Sequence, residues 1–161
     1  MKSIIPGLVI AAALFSSNAY AIDVADVDSL QTFVTEAYPR ISSFNPVQDP
    51  ELLKERVRFF ATQEAFDSYL KSKTDDGTME VVYGKGAIVL DEIVSKVSVY
   101  DRQDGDWKAE FVARHKSFGD QEETAECVSV TVELVSLPLA PGSFAAGITS
   151  ISTKPAKVKC D

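Results

Sequence analysis

The sequence predicts an α+β domain in which N-terminal helices pack on one curved antiparallel sheet. Two observations predict this class. Before Gly77 the apolar residues recur at the helical spacing of about 3.6, and after Gly77 they alternate with a period of two to the end of the chain. Because helical and strand segments are separated along the chain instead of alternating, we expect one helical layer against one layer of sheet.

The first 21 of the 161 residues have the layout of a cleavable signal peptide. Lys2 precedes an apolar run at 4–15, and a polar segment then leads to the small-x-small site Ala19-Tyr20-Ala21. The run is 12 residues long, whereas a helix that spans a bilayer needs about 20. We therefore expect a signal peptide over 1–21, export to the periplasm or beyond it, one mature domain over 22–161 and no membrane insertion after cleavage. The alternative is an N-terminal helix that packs in the core.

The composition indicates a folded domain and disfavours two classes of partner. Hydrophobic residues make up 45% of the chain and charged residues 25%, which is typical of a globular protein. The formal net charge is −8, and it becomes −9 when Lys2 is removed with the signal peptide. Because that charge repels phosphates and anionic lipid head groups, we expect neither nucleic-acid binding nor a membrane-surface role.

Three helices are predicted in the first half of the chain. The first begins at the cap Asp28 and ends at Pro39, and the second begins where residues 49–51 supply a cap, a proline and an acid. The third covers 63–72 behind the cap Thr62. Each has one apolar face that is expected to be buried. The residues on these faces are Leu30, Phe33, Val34 and Ala37 in the first helix, Leu52, Leu53, Val57 and Phe60 in the second, and Phe66, Tyr69 and Leu70 in the third.

Short strands connected by tight turns are predicted after residue 77. Candidate strands lie at 79–83 and 87–90, separated by Gly84-Lys85-Gly86, and a longer β-branched strand lies at 93–100. Asp104-Gly105 is a dipeptide typical of a two-residue hairpin turn. These signals indicate an antiparallel sheet built from successive hairpins.

Two later strands alternate between apolar and polar residues, as half-buried antiparallel strands do. The residues expected to face the core are Trp107, Ala109, Phe111, Ala113 and His115 in one strand and Val128, Val130, Val132 and Leu134 in the other. A polar, acidic connection is expected at 117–126, and a last strand at 147–153 is ended by Pro155. Helices followed by such strands suggest the cone-shaped fold that nuclear transport factor 2 shares with ketosteroid isomerases.

The two cysteines of the chain, Cys127 and Cys160, are expected to form one disulfide bond. An even number of cysteines in an exported protein favours a bridge, and this one closes a loop of 34 residues. The chain-entropy model gives such a loop about 3 to 4 kcal/mol of stabilisation. A redox pair or half of a metal site are the alternatives, although the chain has no C-x-x-C motif and a single histidine.

His115 and Asp91 are the candidate residues for a pocket. His115 falls on the inward face of its strand, where a general base of a cone-shaped protein would lie, and Asp91 follows a predicted strand. No Ser, Asp or metal partner stands at motif spacing from His115. A histidine near the rim of the fold, without a chemical role, is therefore the alternative.

Trp107 and Phe59 are the aromatic candidates for packing or contact. Trp107 opens an inward-facing series, which favours the core over ligand stacking. Phe59 and Phe60 lie on two sides of the second helix, so one ring is expected in the core and the other exposed to a partner. The sequence contains no phosphate-loop, H-E-x-x-H or G-x-S-x-G motif, and we expect no catalytic residue, metal or cofactor.

Three segments occur in an order that one known family also shows. The stretch 58–72 joins paired phenylalanines and a threonine to a helix that ends in Leu-Lys-Ser. It is followed by Trp107-Lys108-Ala109 at the start of an apolar strand, and by Gly-Ile-Thr-Ser-Ile at 147–151 with a late proline and Cys160. Together these segments resemble the DotI/IcmL family, components of the type IVB (Dot/Icm) secretion and conjugation machinery, over roughly 30–160.

The resemblance implies a periplasmic domain of the cone fold that acts by protein contact in a secretion complex and not by catalysis. It implies other secretion-system or periplasmic proteins as partners, and the exposed sheet face is a surface through which such folds form homo-oligomers. Full members of the family are bitopic inner-membrane proteins, so a cleaved chain would be a soluble paralogue. The alternatives are a small-molecule-binding or enzymatic protein with a pocket near His115 and Asp91, and a secreted protein that acts outside the cell.

We predict that the exported protein begins at Ile22. Mass spectrometry of the N-terminal peptide from a periplasmic extract is expected to find Ile22 first, because Ala19 and Ala21 provide the small residues that signal cleavage requires. The variant A21F, which places a large side chain at the cleavage site, should accumulate with its leader attached. Recovery of wild-type protein that still begins at Met1 would contradict the prediction.

Overall fold

The computed structural model of the chain describes residues 26–47, 50–119, 123–138, 144–158 and 160. The predicted signal peptide and the predicted cap Asp49 lie outside the described residues. Within them, helices cover one face of an antiparallel sheet, and one hydrophobic core lies between the two layers. The predicted α+β class is therefore confirmed.

Helix α1, Val27–Ser42, is the main element of the helical layer. It begins two residues earlier than predicted, because Asp26 and Ser29 form a reciprocal capping box in place of a cap at Asp28. The prediction that Pro39 ends the helix is wrong, since the helix continues for three residues beyond it. A proline removes only one intrahelical hydrogen bond, and the continuation buries Ile41 completely.

The second helical segment is shorter and less regular than the sequence suggests. It consists of α2, Pro50–Lys54, and a 3-10 helix, Glu55–Phe59. Helix α3, Gln63–Asp75, begins at the predicted cap Thr62, whose hydroxyl accepts a hydrogen bond from the Ala65 N–H at 3.1 Å. The apolar face of α3 is therefore placed as predicted.

The segment predicted as a strand at 79–83 is helical instead, and it forms a π-helix, Glu80–Gly84. The Asp76 carboxylate accepts a hydrogen bond from the Thr78 N–H at 2.9 Å, and Gly77 takes a φ of +83°, so the chain turns directly into a new helical segment. This segment buries Val82 completely. A short apolar run is compatible with both the helical and the strand period. Here the turn at Asp76 and Gly77 that precedes the run favours the helix.

The sheet contains five strands within the described residues. They are β1, Ile88–Ile93; β2, Ser98–Gln103; β3, Asp106–Phe118; β4, Glu123–Ser136; and β5, Ala146–Pro155. The order is β1–β3–β4–β5, and β2 pairs with the first half of β3 on the side where β1 pairs with the second half. The predicted hairpin turn at Asp104-Gly105 joins β2 to β3, with positive φ at both residues.

Two strand boundaries near Asp91 and His115 differ from the prediction. The predicted strand at 93–100 is divided between the end of β1 and the start of β2, so Asp91 lies within a strand and not after one. The polar connection predicted at 117–126 is largely strand, because β3 and β4 pair as far as Phe118 and Glu123. The cross-strand hydrogen bonds of a long hairpin thus extend pairing into a polar sequence.

The interior is filled by side chains from both layers. The predicted inward faces of β3 and β4 are buried except at His115 and Val128, which are half-buried. The Tyr38 ring of α1 meets the Phe111 ring edge-on with centroids 4.8 Å apart. Phe59 and Phe60 are both buried, contrary to the expectation that one ring is exposed. The 3-10 turn directs them to two parts of the core, where Phe59 stacks on Phe144 and Phe60 packs against Tyr69.

The disulfide joins Cys127 in β4 to Cys160 in the tail that follows β5, as the sequence predicts. The two Cα atoms are 5.7 Å apart. The Ala156 N–H also donates to the Cys127 carbonyl at 2.9 Å, so the tail already runs beside β4 before the bridge closes. The bond fastens this end of the β4–β5 hairpin.

Gly147 lets β5 contact the helical layer through its backbone. The Ala61 N–H donates to the Ile148 carbonyl at 2.9 Å, and a Cβ atom on Gly147 would lie 2.6 Å from the Ala61 Cα atom. Only glycine permits backbones to approach this closely.

We predict that Gly147→Ala lowers the free energy of unfolding by about 1 to 3 kcal/mol, the usual cost of overpacking, because the added methyl group forces β5 away from Ala61. Urea denaturation followed by circular dichroism measures the change. Gly84→Ala is the matched control, since its Cβ atom would meet only the Glu80 side chain at 3.6 Å. Equal unfolding midpoints for the two variants would contradict the proposed close contact.

Candidate functional site

The pairing of β1 with β3 brings together the two predicted pocket residues. Asp91 lies directly opposite His115 in the antiparallel register, and Tyr38 reaches the same point from α1. The sequence analysis missed Tyr38 as a member of this group. Tyr38 lies four residues after Val34, on the same buried face of α1. A buried tyrosine needs a partner for its hydroxyl group.

Both oxygens of the Asp91 carboxylate are hydrogen-bonded. His115 Nδ1 lies 2.6 Å from Asp91 Oδ1, and because a carboxylate only accepts, the imidazole donates through Nδ1. The Tyr38 hydroxyl donates to Asp91 Oδ2 at 3.1 Å, and the Asp91 N–H donates to Ser43 Oγ at 3.1 Å. The Asp91 side chain is 7% exposed and the His115 side chain 28% exposed. The carboxylate is therefore covered, whereas one edge of the imidazole reaches solvent.

The electrostatic environment favours a protonated His115. The hydrogen bond to Asp91 raises the pKa of His115 above its ordinary value of 6.5; burial opposes this, while the charges of Asp91 and Glu126 add to it. Lys73 acts in the opposite direction. Burial and the Asp91 charge also raise the pKa of Tyr38, which therefore remains a neutral donor.

A cleft of about 540 Å³ opens beside His115. One wall is the helical segment from Asp76 to Lys85, and the other comprises the ends of β3 and β4 at Ser117 and Glu126. Its volume falls in the usual range for small-molecule sites. Among the described residues no hydrogen bond occupies the Nε2 atom of His115. An imidazole held by a carboxylate beside such a cleft can bind a polar molecule or exchange a proton with it.

Trp107 and Phe59 lie away from this cleft. Trp107 is eight residues before His115 on β3, a distance of roughly 26 Å along a strand, and its Nε1–H donates to Ser136 Oγ at 3.0 Å. Phe59 lies in an aromatic cluster with Phe33 and Phe144. The structure thus unites His115 with Asp91 and places the two aromatic candidates in the core.

The part of the chain that the structure describes contains no group of three or more His, Cys, Asp or Glu side chains able to hold a metal ion. Nor is any described helix both long and apolar enough to cross a bilayer.

We predict that the stability due to the His115–Asp91 contact is pH-dependent. A pKa that is raised on folding gives stabilisation that is fully present below the unfolded value of about 6.5 and is lost as pH rises through the folded value. The stability advantage of wild type over H115Q, measured by urea denaturation, should therefore shrink as the pH rises above about 6.5.

The pKa itself can be read by NMR without an assignment, because the chain has one histidine. The imidazole midpoint should lie above 6.5 in wild type and fall in D91N, which removes the charge and keeps the shape. A midpoint that is identical in the two proteins would contradict the assignment of Asp91 as the cause.

Comparison with known proteins shows a shared fold. No family model and no curated protein sequence matches the chain. An IcmL-like type IV secretion system protein from Legionella pneumophila is 18% identical, covers 85% of this chain and 98% of its own, and has a TM-score of 0.73. The periplasmic domain of DotI is 19% identical, with 82% and 97% coverage and a TM-score of 0.68.

A third solved structure has the same architecture at lower sequence identity. CagV, a VirB8 homologue of the type IV secretion system of Helicobacter pylori, is 9% identical over 81% of this chain and 99% of its own, with a TM-score of 0.64. The chain therefore has the cone-shaped fold of the DotI and IcmL-like domains, and the resemblance inferred from its sequence is confirmed at the level of the fold.

Proposed function

We propose that the chain is an exported, non-enzymatic protein-interaction domain of a type IVB-related secretion or conjugation machinery. The observation that carries the proposal is the fold shared with an IcmL-like type IV secretion protein and with the periplasmic domain of DotI over more than four fifths of the chain. The predicted signal peptide gives the periplasm as the place of action. The partners are other secretion-system or periplasmic proteins, and self-association is a second mode of contact.

The filled interior supports contact over catalysis. Tyr38, Trp107 and Phe111 are buried with their rings or edges packed in the core, in the space where a cone-shaped enzyme would hold its substrate. A domain whose interior is occupied by its own side chains offers its outer surface to partners. The working surfaces are therefore on the outside of the sheet and helices.

The cleft beside His115 favours a second candidate function, the binding of a small polar molecule. The observation that supports it is that the His115 imidazole, hydrogen-bonded to the Asp91 carboxylate, lines a cleft of about 540 Å³. The cleft is bounded by the helical segment from Asp76 to Lys85 and by the ends of β3 and β4, and none of Tyr38, Trp107 and Phe111 lines it. A ligand there would leave the packed interior unchanged, so the two candidates differ in the residues on which they depend.

Deletion and complementation in the native host test the proposal. Deleting the gene should reduce effector translocation or conjugation, and the full chain should restore it, whereas a chain lacking residues 2–21 should not, because it stays in the cytoplasm. H115Q should restore translocation as well as wild type. Undiminished translocation in the deletion strain would contradict the proposal, and failure of a folded H115Q protein would favour the cleft instead.

A further inference from the structure

An arginine-rich groove lies on the outer surface beside the end of α1. We call it the arginine groove, and its defining residues are Arg40, Arg56, Arg58, Leu52, Ile88 and Leu90. Two adjoining hollows of about 170 and 340 Å³ form it, and both are lined by Arg40 and Arg56. The two hollows thus lie side by side and share Arg40 and Arg56.

The floor of the arginine groove is fixed by Arg56. Its guanidinium donates to the Ile41 carbonyl at 2.6 Å and to the Ser43 carbonyl at 2.7 Å, and it lies over the Phe44 ring at 4.7 Å. These contacts satisfy carbonyls at the C-terminal end of α1, where a cation is also favoured by the helix dipole. Arg56 therefore has a structural role, and the groove is formed before any partner arrives.

The sides of the groove expose apolar surface. Leu52 is 46% exposed and Leu90 is 44% exposed, although leucines usually lie in the core. Ile88 lies next to Leu90 on the same face of β1. Neighbouring exposed aliphatic side chains around a depression are typical of a contact site for another protein.

The molecule is acidic, but the described lining of the groove is net positive, because three arginines stand against one carboxylate, Glu55. The chain has five arginines and a net charge of −8, and three of the five line the groove. Arg102 pairs with Glu133, whereas Arg40 and Arg58 form no ion pair with a carboxylate among the described residues. Arg58 stacks on Phe59 and remains exposed to solvent. Two guanidinium groups are therefore available at the edges of an apolar depression.

We propose that the arginine groove binds an acidic amphipathic segment of a partner protein, with carboxylates on Arg40 and Arg58 and apolar side chains against Leu52 and Leu90. The proposal rests on the proposed function and names the surface and the chemistry of the partner. Arginine binds carboxylates through two parallel hydrogen bonds, which favours acidic side chains over other polar groups. A bilayer is disfavoured because the net charge repels anionic lipids and the apolar surface is concave.

Site-specific photo-crosslinking in intact cells tests the proposal. A photoreactive phenylalanine at Leu52 or Leu90 should capture a segment of another protein in which at least two Asp or Glu residues flank an aliphatic or aromatic residue. R40E combined with R58E should lower the yield roughly tenfold or more, as loss of interfacial charge pairs does. Reversing the acids of the captured segment to lysine should restore the yield with that variant and not with wild type.

Matched variants separate a specific effect from general charge and from misfolding. K96E combined with K154E changes the net charge by the same four units at exposed sites away from the groove and should leave the yield unchanged. Circular dichroism should show that R40E/R58E still folds, because both arginines are exposed, with a small fall in the thermal midpoint because an acid replaces Arg40 in the last turn of α1. Should R40E/R58E unfold, R40A/R58A serves in its place, with a smaller loss expected.

Several results would overturn the proposal. The first is crosslinking to a second copy of this chain, to lipid or to a segment without acidic residues. The second is a crosslinking yield that R40E/R58E does not reduce. The third is binding of the purified protein to phosphatidylglycerol vesicles through Arg40 and Arg58. The translocation assay keeps the two proposals apart. If the deletion reduces translocation and R40E/R58E restores it fully, the groove proposal is wrong and the proposed function stands. If the deletion has no phenotype, the proposed function is wrong, and the crosslinking result decides on the groove.

Discussion

The packing of α1 on the sheet is the contact on which both the cleft beside His115 and the arginine groove depend. Tyr38 packs on Phe111 and donates to Asp91, and Phe44, just after the helix, exchanges two backbone hydrogen bonds of 2.8 Å with Val89 of β1. Arg56 then holds the last carbonyls of α1 from the other side. The end of α1 thus forms one side of the His115 network and one side of the arginine groove, so a shift of this helix would alter both.

The limits of the sequence analysis follow from which interactions are local. The faces of β3 and β4, the Thr62 cap and the Cys127–Cys160 bond were predictable, because periodicity, capping and cysteine number are properties of short segments or of composition. Pro39 was misjudged because burial of the following turn, a tertiary effect, outweighs a local preference. The DotI/IcmL resemblance supplied the fold family, which periodicity alone does not specify.

The candidate site was predictable only in part. His115 and Asp91 could each be named from the inward phase of a strand and the end of another, but their contact depends on the register between β1 and β3, which the sequence does not state. Arg40 comes from α1, whereas Arg56 and Arg58 come from the 3-10 helix, and Arg40 and Arg56 meet Leu90 of β1 only after folding. Neither the groove nor the role of Tyr38 has a signature in a short stretch of sequence.

The His115–Asp91 contact also has a structural consequence that does not require catalysis. Along β1, Val89 and Asp91 face the core while Leu90 and Glu92 face outward. A slip of one residue would turn Leu90 inward and expose Val89, and it would separate Asp91 from Tyr38 and His115. A buried carboxylate with two specific donors makes that slip costly, because an unpaired buried charge is strongly destabilising. The polar network beside the cleft thereby fixes the register that presents Leu90 to the arginine groove, whether or not a ligand is bound.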